Sequence, residues 1–146
     1  MITVRVSAEA FDTGAEIAAL AIKGMGAVAS FTGFVRGDGG LAALTLEHYP
    51  AMTQAALCTL ADEAAVRWSL GGVALYHRVG RLVPGDPIVL VACASPHRAD
   101  ALAACAFLID RLKTDAPFWK RESFADGREA WVEARTSDDA ASARWS

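Results

Sequence analysis

Ile2, Val4 and Val6 alternate with polar neighbours, which predicts a short opening strand. From about Ala8 to Lys23 the chain is rich in alanine, with Ile17, Leu20 and Ala21 on one helical face, until Gly24-Met25-Gly26 breaks the pattern. Alternation resumes in AVASFTGFVR, where Val28, Ser30, Thr32 and Phe34 share a face. Gly37 to Gly40 reads as a flexible turn suited to a hairpin or mobile loop, and Leu41 to Tyr49 returns as a strand carrying Glu47 and His48. Pro50 to Trp68 has helical spacing at Ala56, Leu57, Leu60, Ala64 and Trp68, and Gly71-Gly72 ends it. Val73 to Val79 predicts a strand that includes His77 and Arg78, and Pro84-Gly85-Asp86-Pro87 a tight turn. Ile88 to Ala94 reads IVLVACA, apolar throughout, as in a strand buried on both faces.

The next stretch, Ser95 to Glu122, organises the rest. Ser95 suits a helix cap and Pro96 the first helical position, which puts His97 and Arg98 in the first turn. Leu102, Cys105, Ala106, Ile109 and Leu112 mark a buried face. The helix should stop near Thr114 and Asp115, because the residue before Pro117 is driven out of the α region. Phe118 to Phe124 then alternates, with Phe118, Lys120, Glu122 and Phe124 on one side. Ala125-Asp126-Gly127 turns the chain into a closing strand, Glu129 to Ala134, followed by a polar tail whose one large apolar residue is Trp145. The resulting order, βα-β-β-α-β-β-α-β-β, is that of a mixed α+β domain with three main helices, spanning residues 1–146 as one unit.

Composition narrows the function classes. Apolar residues make up 53% of the 146 residues and charged ones 21%, as in a well-cored globular protein. A net charge of −3 supplies no overall basic field for nucleic acid, so anion binding must rest on a local cluster. Cys58, Cys93 and Cys105 sit singly in apolar runs, as small core residues of a reducing compartment. No signal peptide or membrane-length apolar run is read, so a cytoplasmic protein is expected. Gly24, Gly26 and Ala29 fit G-x-G-x-x-A, but the helix precedes the strand, the reverse of what a dinucleotide site requires. His48, His77 and His97 lack metal-ligand spacing with Cys or acidic residues, so no metal is expected. His97 and Arg98 at a helix start oppose the macrodipole unless an anion binds there too. Arg36, beside the glycine turn, suits a phosphate clamp or a solubilising edge charge equally.

FTGFVR, LTLEHYPAMT, HRVGRLVPGD, SPHR and LKTDAPFWKRE, taken in order from about Gly26 to Arg135, resemble the large, catalytic subunit of molybdopterin synthase. The chain departs from that pattern in a short N-terminus, a short glycine-rich loop after Arg36, and proline before His97. The resemblance implies an α/β-hammerhead fold and an enzyme without a cofactor. That enzyme moves sulfur from the C-terminal Gly-Gly thiocarboxylate of a small ubiquitin-like subunit to cyclic pyranopterin monophosphate (precursor Z), forming the dithiolene of molybdopterin. It implies a homodimer within a heterotetramer, with Lys113 and Lys120 catalytic. The implied substrate-binding set is Phe34, Val35, Arg36, His97, Arg98, Lys113, Lys120, Arg121 and Glu122. Anionic phosphate and thiocarboxylate require cationic partners once removed from water, which suits such a set. Arg36, His97 and Arg98 would hold phosphate and pterin, the lysines would stabilise the oxyanion formed on sulfur transfer, and Glu122 would orient Lys120. A lysine beside other cations can also serve as base or nucleophile.

One distance qualifies this set. His97 and Lys113 are separated by a helix about 24 Å long at 1.5 Å per residue, too far for both to touch one pterin. The expectation is therefore a site shared across a dimer: Arg36, Lys113 and Lys120 from one chain, His97 and Arg98 from its mate. Two other readings remain, a non-catalytic scaffold for the ubiquitin-like partner and a general phosphate- or nucleotide-binding module.

Overall fold

The computed structural model describes residues 1–132 and 136–146, with helices and two four-stranded sheets in an α+β arrangement. The first sheet holds β1 (Ile2–Ser7), β4 (Gly72–Arg78), β6 (Pro87–Ser95) and β2 (Ala27–Phe34), in the order β1-β4-β6-β2. β1 runs parallel to β4 and the other neighbours are antiparallel. The second sheet, β5-β3-β7-β8, is antiparallel and comprises β5 (Gly80–Leu82), β3 (Leu41–His48), β7 (Phe118–Phe124) and β8 (Glu129–Trp131).

The apolar run of β6 is buried on both faces, as its pattern predicts. Val89, Val91 and Cys93 pack with α2 (Pro50–Arg67) and α3 (Arg98–Asp115), through Leu57, Leu60, Phe107 and Leu108. Leu90, Ala92 and Ala94 face the other way, against Leu20, Phe11 and Met25 around α1 (Thr13–Ala19). A third apolar cluster, Val35, Leu46 and Leu82, lies against the second sheet, and Phe118 packs on both it and the main core. Among the described residues, no helix is long and apolar enough to cross a membrane.

Several expectations need correction. α1 is seven residues long rather than spanning Ala8 to Lys23, because the Asp12 side chain caps it at Ala15 N (3.0 Å) and only Leu20 of the expected face is buried. The strands on either side of Gly37–Gly40 do not pair as a hairpin. β2 joins β6 and β3 joins β7, with a short 3-10 turn, Asp38–Gly40, carrying the chain between sheets. β5 is an addition to the expected order: it follows β4 after the single residue Val79, and its three residues are too few to show a strand period. Ser95 does not cap α3; it ends β6 opposite Ala27 and accepts at its carbonyl from Gly26 N (3.0 Å). The helix begins two residues later, with His97 as its N-cap in extended conformation. Its buried stripe is Ala101, Ala104, Cys105, Leu108 and Leu112, whereas Leu102 is 61% exposed. The strand expected to Ala134 is described to Trp131; residues 133–135 lie outside the described residues. The polar tail holds a further helix, α4 (Thr136–Ala143), packed on α3.

Candidate functional site

Where the two sheets meet the C-terminal end of α3, a cleft of about 660 Å³ opens. Its walls come from the end of β2 (Phe34, Val35, Arg36), the last turn of α3 (Lys113, Thr114) and the inner face of β7 (Phe118, Lys120, Glu122). The volume lies within the range of small-molecule sites.

The local sequence explains this convergence. Ala116, held extended (φ −80°, ψ 126°) by the proline after it, stops α3 just past Lys113 and starts β7. Strand alternation then aims Phe118, Lys120 and Glu122 the same way, across from His48, Leu46 and Leu44 of β3. The C-terminal end of a helix carries partial negative charge, which favours the Lys113 ammonium in the last turn. Val35 is 4% exposed, and the turn after β5 holds its backbone through Val35 N to Asp86 O (2.9 Å) and Gly85 N to Val35 O (2.8 Å). That clamp leaves Phe34, 54% exposed, at the mouth. Arg36 donates from Nε (2.9 Å) and Nη2 (2.6 Å) to Asp38 Oδ2, a solvent-exposed fork that an incoming anion would have to share.

Beneath the cleft lies His77, which the chain pattern marked only as a strand residue. It is 4% exposed and stacks on Phe118, ring centroids 3.9 Å apart. Its Nδ1 is 2.8 Å from Arg78 O, a contact that only an Nδ1–H can make favourable, so the proton of the neutral ring sits there. Burial pushes its pKa down to about 3, and the charges of Lys120, Lys113 and His48 push the same way. An uncharged ring therefore underlies the two ammonium groups. The proximity of His77, on the first sheet, to Lys113 and Lys120 arises from tertiary packing against Phe118 and left no signal in the sequence.

Of the residues expected at the site, Phe34, Val35, Arg36, Lys113, Lys120 and Glu122 line this cleft. His97 and Arg98 do not. They are exposed at the opposite end of the 18-residue helix α3. Arg121 points to the other face of β7, paired in register with Trp131 and with its guanidinium 5.9 Å from that ring centre. Asp138, from the start of α4, reaches the cleft wall, and nothing in the sequence pattern signalled it. Among the described residues, no group of three or more His, Cys, Asp or Glu side chains is placed to hold a metal.

Known proteins share both the sequence and the fold of this chain. A family model described as "MoaE protein" matches residues 6–115. The molybdopterin synthase catalytic subunit of Ralstonia nicotianae is 53% identical over 150 residues, covering 99% of this chain and 85% of that protein. The Pseudomonas aeruginosa molybdopterin synthase catalytic subunit is 52% identical, covering 97% of each. The solved structure of a molybdopterin biosynthesis MoaE protein from Burkholderia ambifaria superimposes with a TM-score of 0.85 at 53% identity, covering 99% of this chain and 98% of that one. With most of its length matched in both sequence and fold, the chain belongs to the MoaE family, whose members are catalytic subunits of molybdopterin synthase, sulfurtransferases of molybdenum-cofactor biosynthesis.

Proposed function

We propose that the cleft is where sulfur passes from the C-terminal thiocarboxylate of a small ubiquitin-like carrier to cyclic pyranopterin monophosphate, building the dithiolene. The observation that carries this reading is the meeting of Lys113 and Lys120, from a helix end and a strand, over one cleft that Arg36 also borders. The thiocarboxylate sulfur bonds to a substrate carbon, and water then adds to the resulting thioester carbonyl. The flanking lysines stabilise the oxyanion of that addition before the C–S bond breaks and the carrier leaves as a carboxylate. Arg36 binds the substrate phosphate, exchanging its solvent-exposed bond to Asp38 for a forked bond to the phosphate oxygens. Phe34 and Val35 give the pterin an apolar wall, and Glu122 orients Lys120. Arg121 takes no part in this cleft. The site is completed by a second copy, whose His97 and Arg98 supply the remaining cations.

Purified protein, precursor Z and a thiocarboxylated carrier, assayed for the dithiolene, test the reading. Lys113→Ala should lower turnover by about 10²–10³-fold, the usual cost of a lost oxyanion partner. A scaffold would lose nothing measurable. Sharing is tested by mixing Lys113→Ala subunits with His97→Ala/Arg98→Ala subunits. Half the dimers become hybrids and each hybrid has one intact site in two, so activity should recover to about a quarter of the parent's. Failure of any mixture to exceed its components would mean that each site is built from one chain.

A further inference from the structure

The cleft carries a carboxylate that anion binding alone disfavours. Of the acidic side chains lining it, Asp38 is bonded to Arg36, and Glu122 shares a strand face with Lys120. Asp138 remains, half-buried in the first turn of α4. Asp110, Asp115 and Asp126 are each ion-paired with an arginine. Among the described residues, Asp138 has no such pair. A carboxylate in this position repels phosphate and thiocarboxylate, so it weakens their binding unless it meets a donor of its own.

α4 holds that carboxylate in place. The Trp145 indole and the Arg144 guanidinium both donate to Asp110 Oδ2 (2.7 Å each), and Thr114 Oγ1 donates to Ser142 Oγ (2.9 Å). Thr114 itself lines the cleft. Ser142 follows Asp138 by four residues, so the two share a face of α4, and anchoring one directs the other. A side chain carried by a docked helix is placed more precisely than one on a loop.

The pterin supplies a matching group. Its 2-amino-4-oxopyrimidine ring presents N3–H and a 2-amino N–H side by side, two parallel donors without charge. A carboxylate accepts both at once through its two oxygens. Lysine and arginine are donors only, so the cations of the cleft leave that edge unmatched. We propose that Asp138 reads the pterin: its carboxylate oxygens accept the N3–H and the 2-amino N–H, selecting a 2-aminopteridine over a 2-oxopteridine. The assignment rests on the cleft being the pterin site and adds what distinguishes that ring from other phosphate-bearing heterocycles.

Two ligands bearing the same phosphate isolate the contact: 6-hydroxymethylpterin phosphate and its lumazine counterpart, in which a 2-oxo group replaces the 2-amino group. In calorimetric titration of the full chain, the parent should bind the pterin about 10–100-fold more tightly, the discrimination of one bidentate pair. Asp138→Asn offers one acceptor and one donor, which fits N3–H beside a 2-oxo group, so the preference should invert. Asp138→Glu keeps both acceptors and should keep the preference, while Asp138→Ala should abolish it. An undocked α4 would erase the preference in all three variants alike. That equal loss, or tighter binding of both ligands by Asp138→Ala, would overturn the assignment. Pterin binding that Arg36→Ala weakens, with no inversion by Asp138→Asn, refutes Asp138 alone and leaves the pterin site standing. Pterin affinity unchanged in both Arg36→Ala and Asp138→Ala would overturn the site and the assignment together.

Discussion

Trp145 is the pin that fastens the C-terminal helix, and its removal should free α4 without unfolding the rest. Its indole stands edge-on to Trp68 (5.8 Å, 83°) and Phe107 (5.7 Å, 89°), and its Nε1–H donates to Asp110 Oδ2 (2.7 Å). Two aromatic pairs are worth about 0.5–1.5 kcal/mol each, and a hydrogen bond to a carboxylate about 1.5–3 kcal/mol. These contributions overlap and the residue is only half-buried, so about 3 kcal/mol is a fair magnitude for Trp145→Ala. That corresponds to roughly a hundredfold increase in undocking of α4. Hydrogen exchange read on a peptide covering 136–146 should accelerate by that factor, with β6 and α3 upstream of Asp110 nearly unchanged. Trp145→Phe keeps the ring stacking and loses only the N–H, and should cost about tenfold. Exchange within threefold of the parent in the alanine variant would show that the helix is held by something else. The neighbouring Thr114–Ser142 contact (2.9 Å) would then be the next anchor to remove.

Two further tests follow from the core. His77 is neutral in the fold but protonates near its ordinary 6.5 when unfolded, so the unfolded chain binds more protons between pH 6.5 and about 3. Stability should therefore fall with acidification through that window, by up to about 1.4 kcal/mol per pH unit, and His77→Gln should flatten the slope in denaturant titrations at several pH values. Gly26→Ala should destabilise by about 1–3 kcal/mol in thermal or denaturant unfolding, because the added Cβ runs into the Pro96 carbonyl oxygen.

That glycine shows where a local pattern misleads. Gly24 and Gly26 fit a phosphate-loop spacing, yet Gly24 (φ +93°) serves the break after α1 and Gly26 lets the backbone pass against Pro96. Order along the chain was enough to discard the motif, but only packing reveals what the glycine does. The β6 run was legible because seven consecutive apolar residues admit few alternatives to double-sided burial. The phase of α3 was not. Leu102 and Ala101 are both apolar, and the choice between them was made by a helix start that sheet pairing at Ser95 delayed by two residues. β5 was hidden for the opposite reason: with three residues it has no period to read. α4 left no trace beyond Trp145, since its sequence, TSDDAASA, carries no apolar stripe.

The site divided along the same line. Lys113, Lys120 and Glu122 were legible together because a helix stop before Pro117 and strand parity fix their directions with no knowledge of the rest of the fold. Arg36 joins them only through tertiary structure, by way of the Val35–Asp86 clamp that anchors the end of β2. His97 and Arg98 belong to the same linear block of sequence as Lys113, but they sit at the far end of a rigid helix. A rigid helix converts nearness in sequence into separation in space, and so His97 and Arg98 lie outside the cleft that Lys113 borders.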